Sequence, residues 1–293
     1  VNGDRLPDFI WAADSYNRSG GYDYAGPGYV ALNNGDGTGW TVDSDYVIPI
    51  PLSRTVNSVN SYNLGIAFDD VNGDGLTDIL QSTFEGDSGV YINQGPAKTW
   101  ELDSTYGSTW SWVSYSGSTP YDSGVRLVDV NGDHRSDILA AYTGTLGIYE
   151  DSFAVQLAEN DPMGWREVDD SYYPVPVGFG QQTTGFHMDE GTRFADVDGD
   201  GLTDMVKSES VSAGSDNGVY LNDAEPADHL TNIDLGSGAS IIVDYAAADH
   251  ATNPDLPYVV QTVSSITKDD GLGNSVTTTY DYAGGEHYFE SLE

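Results

Sequence analysis

A nine-residue acidic phrase recurs along the chain and constrains its fold more than any other feature. The complete copies read Asp70-Val-Asn72-Gly-Asp74-Gly-Leu76-Thr-Asp78, Asp129-Val-Asn131-Gly-Asp133-His-Arg135-Ser-Asp137 and Asp196-Val-Asp198-Gly-Asp200-Gly-Leu202-Thr-Asp204. A further copy, first along the chain, reads Asn2-Gly-Asp4-Arg-Leu6-Pro-Asp8 and lacks its leading acid. Side-chain oxygens at positions 1, 3, 5 and 9, with a backbone carbonyl at position 7, make the donor set of a hard cation such as calcium. The predicted ligands are therefore Asp70, Asn72, Asp74 and Asp78; Asp129, Asn131, Asp133 and Asp137; Asp196, Asp198, Asp200 and Asp204; and Asn2, Asp4 and Asp8. Leu76, Arg135, Leu202 and Leu6 would each contribute a carbonyl. No His or Cys occupies a ligand position, which favours Ca²⁺ over softer metals. Three structural Ca²⁺ sites are expected, with a fourth truncated.

The loop is not an EF-hand. That motif needs Glu at position 12, and the chain has Gln81, Ala140 and Lys207 there. The flanks are short and β-rich: Ile66-Ala-Phe68 before one loop, Ile79-Leu80 after it, and similar runs around the others. A strand, a metal loop and a second strand form the economical unit. Position 6 calls for a left-handed backbone, which glycine supplies at Gly75 and Gly201. His134 and Arg5 stand there in the other copies, so those two sites are expected to be weaker.

Around each loop a longer unit repeats. Gly28-Tyr-Val-Ala-Leu-Asn33, Gly89-Val-Tyr-Ile-Asn93, Gly147-Ile-Tyr149 and Gly218-Val-Tyr-Leu-Asn222 form a second phrase, followed in three units by Trp40, Trp100 and Trp165. The loops lie 59 residues (70 to 129) and 67 residues (129 to 196) apart. That spacing gives each unit room for about four short strands, the content of a propeller blade. A tryptophan at a constant blade position is expected in the core. Trp110 and Trp112 break the pattern within a Ser/Gly/Tyr-rich stretch, Tyr106 to Tyr121, which reads as a long exposed connection with a possible contact surface at the two rings. After Asn222 the periodicity stops. Residues 223–228 read as a linker, and residues 229–293 as a small antiparallel module with strands at Ala239–Tyr245, Tyr258–Ile266 and Ser275–Tyr282 and a hairpin turn at Asp269–Asn274.

Composition sets the limits on function. Ten Lys and Arg against 47 Asp and Glu give a formal charge of -37, which repels nucleic acid and anionic membrane. Four divalent cations would return +8 and leave -29, so ligands alone do not account for the charge. There is no cysteine, hence no disulfide and no thiolate site. No apolar run is long enough to span a membrane. The histidines (134, 187, 229, 250 and 287) are scattered, and no nucleophile elbow, P-loop or His-Glu-x-x-His motif is present. The chain is expected to be non-enzymatic.

Two resemblances add to this reading. The units Asp70–Asn93 and Asp196–Asn222 look like FG-GAP/VCBS repeats of integrin-type propellers. The stretch His229–Tyr245, Leu256-Pro-Tyr-Val-Val260 and Asp270–Gly285 resembles the middle region of Tc-toxin B subunits and SpvB-type proteins, which carry Rhs/YD repeats. The resemblance implies an all-β fold: about four FG-GAP-type propeller blades over residues 1–228, with ring closure calling for sequence outside them. Residues 229–293 would begin a cargo-enclosing shell. It also implies a secreted bacterial toxin of which this chain is a fragment, and a propeller that docks on an A-type subunit or on the rest of the parent chain and gates a cargo. A glycan-binding lectin or adhesin propeller is the alternative, motivated by Trp110, Trp112 and the many tyrosines.

Overall fold

The computed structural model describes residues 1–4, 6–16, 22–24, 28–56, 60–82, 88–106, 113–116, 119–144, 152–160, 163–169, 173–183, 186–209, 216–224, 229–248, 253 and 260–285. Arg5, Trp110, Trp112, the Gly147–Tyr149 phrase, residues 225–228 of the linker, Leu256–Val259, His250 and His287 lie outside the described residues. The fold is all-β. Among the described residues the one helical element is a 3₁₀ turn at Gly95–Ala97.

The strands follow the repeat. The first unit contains β1 (Phe9–Trp11), β2 (Ala13–Tyr16), β3 (Tyr22–Tyr24), β4 (Tyr29–Asn33) and β5 (Trp40–Asp43), then a hairpin of β6 (Ser53–Val56) and β7 (Asn60–Asn63). β1, β4 and β5 form an antiparallel sheet in that order. The second unit is a four-stranded antiparallel meander of β8 (Ile66–Asp69), β9 (Asp78–Ser82), β10 (Ser88–Asn93) and β11 (Trp100–Asp103). Its acidic loop joins β8 to β9, with Asp69 opposite Asp78. A hairpin of β12 (Val113–Ser116) and β13 (Thr119–Asp122) follows. The third unit repeats the meander with β14 (Val125–Val128), β15 (Asp137–Gly144), β16 (Ser152–Asn160) and β17 (Met163–Val168), then the hairpin β18 (Gly180–Thr183) and β19 (Phe186–Asp189). Here too the loop closes a hairpin, with Val128 opposite Asp137. The fourth has β20 (Thr192–Ala195), β21 (Asp204–Lys207) and β22 (Gly218–Tyr220), paired in that order.

The spacing of 59 to 67 residues therefore holds more than four strands. Each interval carries an added hairpin just before the next loop's leading strand, and two of these, β6–β7 and β18–β19, join the preceding unit in parallel, through β2 and β15. The stretch Tyr106–Tyr121 is corrected accordingly: within it lie β12 and most of β13, not an open connection. Its tyrosines and threonines are good strand formers. Each hairpin turns into the next unit at a glycine with a left-handed backbone: Gly65 (φ 63°), Gly124 (φ 68°) and Gly191 (φ 76°). Their carbonyls accept the amides of Ser82, Ala141 and Ser208 respectively.

Side chains alternate across each sheet, and the two faces take different neighbours. Val30, Ile10 and Leu32 on one face of the first sheet meet Ile79 and Trp100 on the opposite face of the second, with Tyr46 and Ile48 in the same cluster. Leu80, Val90 and Ile92 of the second sheet meet Trp165 of the third, beside Tyr106. Fully burying an aliphatic side chain of this size contributes about 1.5–3 kcal/mol, so these inter-sheet seams supply much of the core. Trp100 is 4% exposed, as expected of a core tryptophan, and Trp165 stacks edge-on to Tyr106 at 5.4 Å. Trp40 departs from that expectation at 57% exposed. Its strand register matches that of Trp100, with Asn33 opposite Trp40 as Asn93 is opposite Trp100. What it lacks is a sheet packed over its face.

The tail is one antiparallel sheet, β23 (Asn232–Asp234), β24 (Ser240–Ala247), β25 (Gln261–Asp269) and β26 (Ser275–Thr279), in sequence order. The three expected strands and their turn are present, and β23 joins them. The chain divides into two compact units, one of residues 1–128, 134–193 and 207–218, the other of residues 129–133, 194–206 and 219–293.

A Cβ at Gly124 would lie 2.5 Å from the Ala141 carbonyl oxygen, at a φ of +68°. Gly37 has a similar φ of +77° with nothing within 4 Å. Gly124→Ala should therefore cost about 2–4 kcal/mol in urea unfolding and Gly37→Ala about 1 kcal/mol. Equal costs would show that the corner is not a tight contact.

Candidate metal loops

Each loop is shaped by carboxylates that accept its own backbone amides. In the second copy Asp70 accepts from Gly73 at 2.8 Å and Gly75 at 2.7 Å, while Asn72 Oδ1 accepts from Asp74 at 3.0 Å. Asp74 accepts from Leu76 at 2.8 Å. The fourth copy repeats this, with Gly199 at 2.7 Å and Gly201 at 3.1 Å donating to Asp196, and Leu202 donating to Asp200 at 2.8 Å. In the third, Asp129 accepts from Gly132 at 2.7 Å and Asn131 from Asp133 at 3.0 Å. In the first, Leu6 donates to Asp4 at 2.8 Å. Position 6 is left-handed as expected: Gly75 (φ 82°), Gly201 (φ 92°) and also His134 (φ 65°). Position 4 is equally left-handed at Gly3, Gly73, Gly132 and Gly199, with φ of 81°, 75°, 74° and 82°. Sequence reasoning did not single out that glycine, although it stands in every copy.

The ninth acid has a second task that spacing alone does not reveal. Asp78 accepts the Val71 amide at 3.1 Å and the Asn93 amide at 2.8 Å, and is completely buried. Asp204 accepts Val197 and Asn222, each at 2.8 Å. Asp8 accepts the Val1 ammonium at 2.7 Å and the Asn33 amide at 2.8 Å, and Asp137 accepts Ala158 at 2.8 Å. The acid thus ties its own loop to the far end of the neighbouring strand in the sheet.

The asparagine there reaches onward. Asn93 Nδ2 donates to Thr77 O of its own loop and to Val1 O, position 2 of the preceding loop, at 3.1 and 2.9 Å. Asn222 Nδ2 does the same with Thr203 O and Val130 O at 3.3 and 2.7 Å. Successive loops also touch at Leu76, which lies against Gly3 of the preceding loop, and at Arg135, which lies against Gly73. A Cβ at either glycine would lie 3.1 Å from the Leu76 or Arg135 side chain, which would have to give way.

The donor chemistry suits a hard cation. Carboxylate oxygens of Asp196, Asp198 and Asp204 lie within 4.8 Å of one another. The second loop has Asn72 where the fourth has Asp198, so its oxygen cluster carries one charge fewer. Burial pushes the Asp78 carboxyl up to about 7 against the amides that stabilise its charge, and the neighbouring Asp74 and Asp70 charges add to the rise. Asp70 and Asp200 are also raised, first by burial and then by nearby carboxylates. The self-repulsion that a cation would relieve is built into the loops.

Asp78→Ala orphans two backbone amides in the interior and should cost about 3–5 kcal/mol in urea unfolding. A second expectation concerns pH. The folded Asp78 carboxyl holds its proton to about 7, against the ordinary 3.8. The folded state therefore binds more protons between those values, and in chelator the fold should lose stability as pH rises from about 4 to about 7. Asp78→Asn should flatten that slope relative to the parent chain in melting scans. Parallel slopes for the two would refute the assignment.

Two family models match this chain. Residues 170–291 match the insecticide toxin TcdB middle/N-terminal region, and residues 70–140 match the FG-GAP-like repeat. No curated protein matches. Among solved structures, the Tc holotoxin pore of Photorhabdus luminescens superposes with a TM-score of 0.54 at 19% identity, covering 89% of this chain and 12% of that one. TcdB2-TccC3 without its hypervariable C-terminal region gives 0.50 at 19% identity, covering 88% and 12%. The chain thus spans about an eighth of the length of the solved chains that it resembles. By sequence it carries a TcdB-type stretch and an FG-GAP-like stretch, and by fold it resembles the corresponding part of Tc toxin assemblies.

Proposed function

We propose that this chain is a calcium-stabilised, non-enzymatic scaffold within a secreted bacterial Tc-like toxin. Residues 1–228 act as propeller blades that dock a protein partner, an A-type subunit or the remainder of the parent polypeptide. Residues 229–293 begin a shell that encloses a cargo. One combination carries the reading: acidic loops closing successive β-hairpins, followed by a stretch that matches the TcdB middle/N-terminal region. The calcium arm of the proposal rests on the donor set and on the converging Asp196, Asp198 and Asp204 carboxylates. The ligands would be the predicted sets at positions 1, 3, 5 and 9, with the position-7 carbonyls completing them. The cation's role would be to neutralise buried charge and stiffen each hairpin, not to activate a substrate.

The test is thermal melting in calcium and in EDTA. A cation that binds only the folded state raises its stability by mass action, about 2.7 kcal/mol when present at a hundredfold excess over its dissociation constant. Chelation should lower the melting temperature by several degrees, and magnesium at equal concentration should restore less of it than calcium. Asp74→Ala and Asp200→Ala should each abolish part of the calcium effect. A melting temperature indifferent to EDTA would sink the calcium arm. For docking, the parent protein should form a stoichiometric complex with its A-type subunit by size exclusion, and a full-length protein that never does so would remove the partner assignment.

A further inference from the structure

Two Asn-Gly pairs stand in the acidic loops, Asn72-Gly73 and Asn131-Gly132, each at positions 3 and 4. Asparagine before glycine is open to spontaneous deamidation, because glycine has no Cβ to keep its amide nitrogen away from the neighbouring carboxamide. The products follow from the chemistry. The Gly73 nitrogen would attack Asn72 Cγ, form a C–N bond and close a succinimide. The Cγ–Nδ2 bond breaks, and ammonia leaves with the proton given up by the Gly73 amide. Water then opens the ring at either carbonyl. Opening at one leaves aspartate, and position 3 then carries the acid that the fourth loop has at Asp198. Opening at the other leaves isoaspartate, which adds a carbon to the backbone just before Gly73, where the chain must turn left-handed (φ 75°) beside Arg135.

Both reacting groups are tied down in the folded loops. Asp70 Oδ1 accepts the Gly73 amide at 2.8 Å, and Asp129 Oδ1 accepts the Gly132 amide at 2.7 Å. The carboxamides are held on the acid two residues further on. Asn72 takes the Asp74 amide on Oδ1 and donates from Nδ2 to Asp74 Oδ2, both at 3.0 Å. Asn131 does the same with Asp133, at 3.0 and 3.3 Å. Of the two ties, the one on the amide bears on the attacking atom itself, which must leave a charged acceptor before it can react. Burial does not protect the second loop, since Gly73 is exposed and Asn72 half-buried.

From these contacts we infer that Asn72 and Asn131 are latent deamidation sites, and that the leading acids Asp70 and Asp129 guard them by holding the attacking amides. The leading acid thus has a chemical task beside its place in the donor set. The inference goes beyond the scaffold reading and needs neither a bound cation nor a partner. Opening of a loop releases its glycine amide to the reaction, and the ammonia lost does not return. Each loop therefore keeps a covalent record of the time it has spent open.

The test incubates the chain in EDTA at mildly alkaline pH, so that no cation bears on the result. Peptide mass mapping follows deamidation at Asn72 and Asn131, and an isoaspartyl methyltransferase scores the isoaspartate. Asp70→Ala should speed Asn72 by about tenfold or more, since a charge-assisted hydrogen bond no longer holds the amide, and should leave Asn131 at its parent rate. Asp129→Ala should do the reverse. The untouched loop reports on unfolding, which would speed both. Asp74→Ala frees the Asn72 carboxamide but leaves the Gly73 amide on Asp70, so Asn72 should stay near its parent rate. Asp70→Asn keeps an acceptor oxygen and should restore most of the protection. An Asn72 rate unchanged by Asp70→Ala overturns the proposal. Equal speeding by Asp74→Ala would give the protection to the carboxamide tether, and equal speeding of both asparagines by Asp70→Ala would give it to folding as a whole; either also overturns it.

Discussion

The ninth carboxylate of each loop holds the structure together in a way that the other acids do not. Asp8, Asp78, Asp137 and Asp204 each accept an amide at or near the end of the neighbouring strand in the sheet, every time at 2.8 Å. In three copies the same carboxylate also accepts the nitrogen of position 2 in its own loop. A turn and the neighbouring strand are thereby locked at one buried point, where a hydrogen bond to a charged group contributes about 1.5–3 kcal/mol. The asparagine whose amide is captured then uses its side chain to reach the loop of the preceding unit. One acid thus sets the geometry within a sheet and the spacing between sheets.

The glycines follow from the same demand. Position 4 must turn left-handed and must also leave room for the position-7 side chain of the next loop, Leu76 over Gly3 or Arg135 over Gly73. At Gly3 and Gly73 a side chain would meet both objections, whereas at Gly199 only the left-handed backbone stands against it. Position 6 answers to the backbone alone: nothing lies within 4 Å of a Cβ at Gly75, and His134 takes the same conformation. The strain at His134 is the modest intrinsic cost of a left-handed residue, about 1–2 kcal/mol.

Much of this was legible in the sequence because the signals were local. Nine residues of donor spacing placed the loops in β-hairpins, and alternation placed three of the four tail strands. The parts that were not legible depend on distant partners. The pairing of β2 with β6 and of β15 with β18 is parallel and non-local, so the added hairpins left no short-range pattern beyond a Tyr/Ser/Thr-rich composition. The corner glycines 65, 124 and 191 stand alone in sequence, and their role appears only where Ser82, Ala141 and Ser208 return to them. Trp40 was assigned to the core by analogy with Trp100 and Trp165. The analogy holds for its strand position and, with Trp100, for its indole hydrogen bond, but burial needs a neighbour as well.

Charge gives the last constraint. Desolvation penalises every buried carboxylate, and Asp78, Asp137 and Asp204 are buried almost completely in a chain of net charge -37 with ten basic side chains. Where the fold does bury a cation of its own, it pairs it closely: Lys207 meets Glu190 at 2.7 Å, both nearly inaccessible. Arg126 and Arg193 instead clasp Asp122 and Asp189 across the corner glycines, at 2.7 and 2.9 Å. Asp78 and Asp204 are compensated by backbone amides, while Asp8 also meets the Val1 ammonium. Amides stabilise a carboxylate without cancelling its charge, and burial still pushes the Asp78 carboxyl up to about 7. Loops that gather further carboxylates around such a residue are stable as anions only if a counter-charge joins them, which is the physical ground for expecting a divalent cation at each.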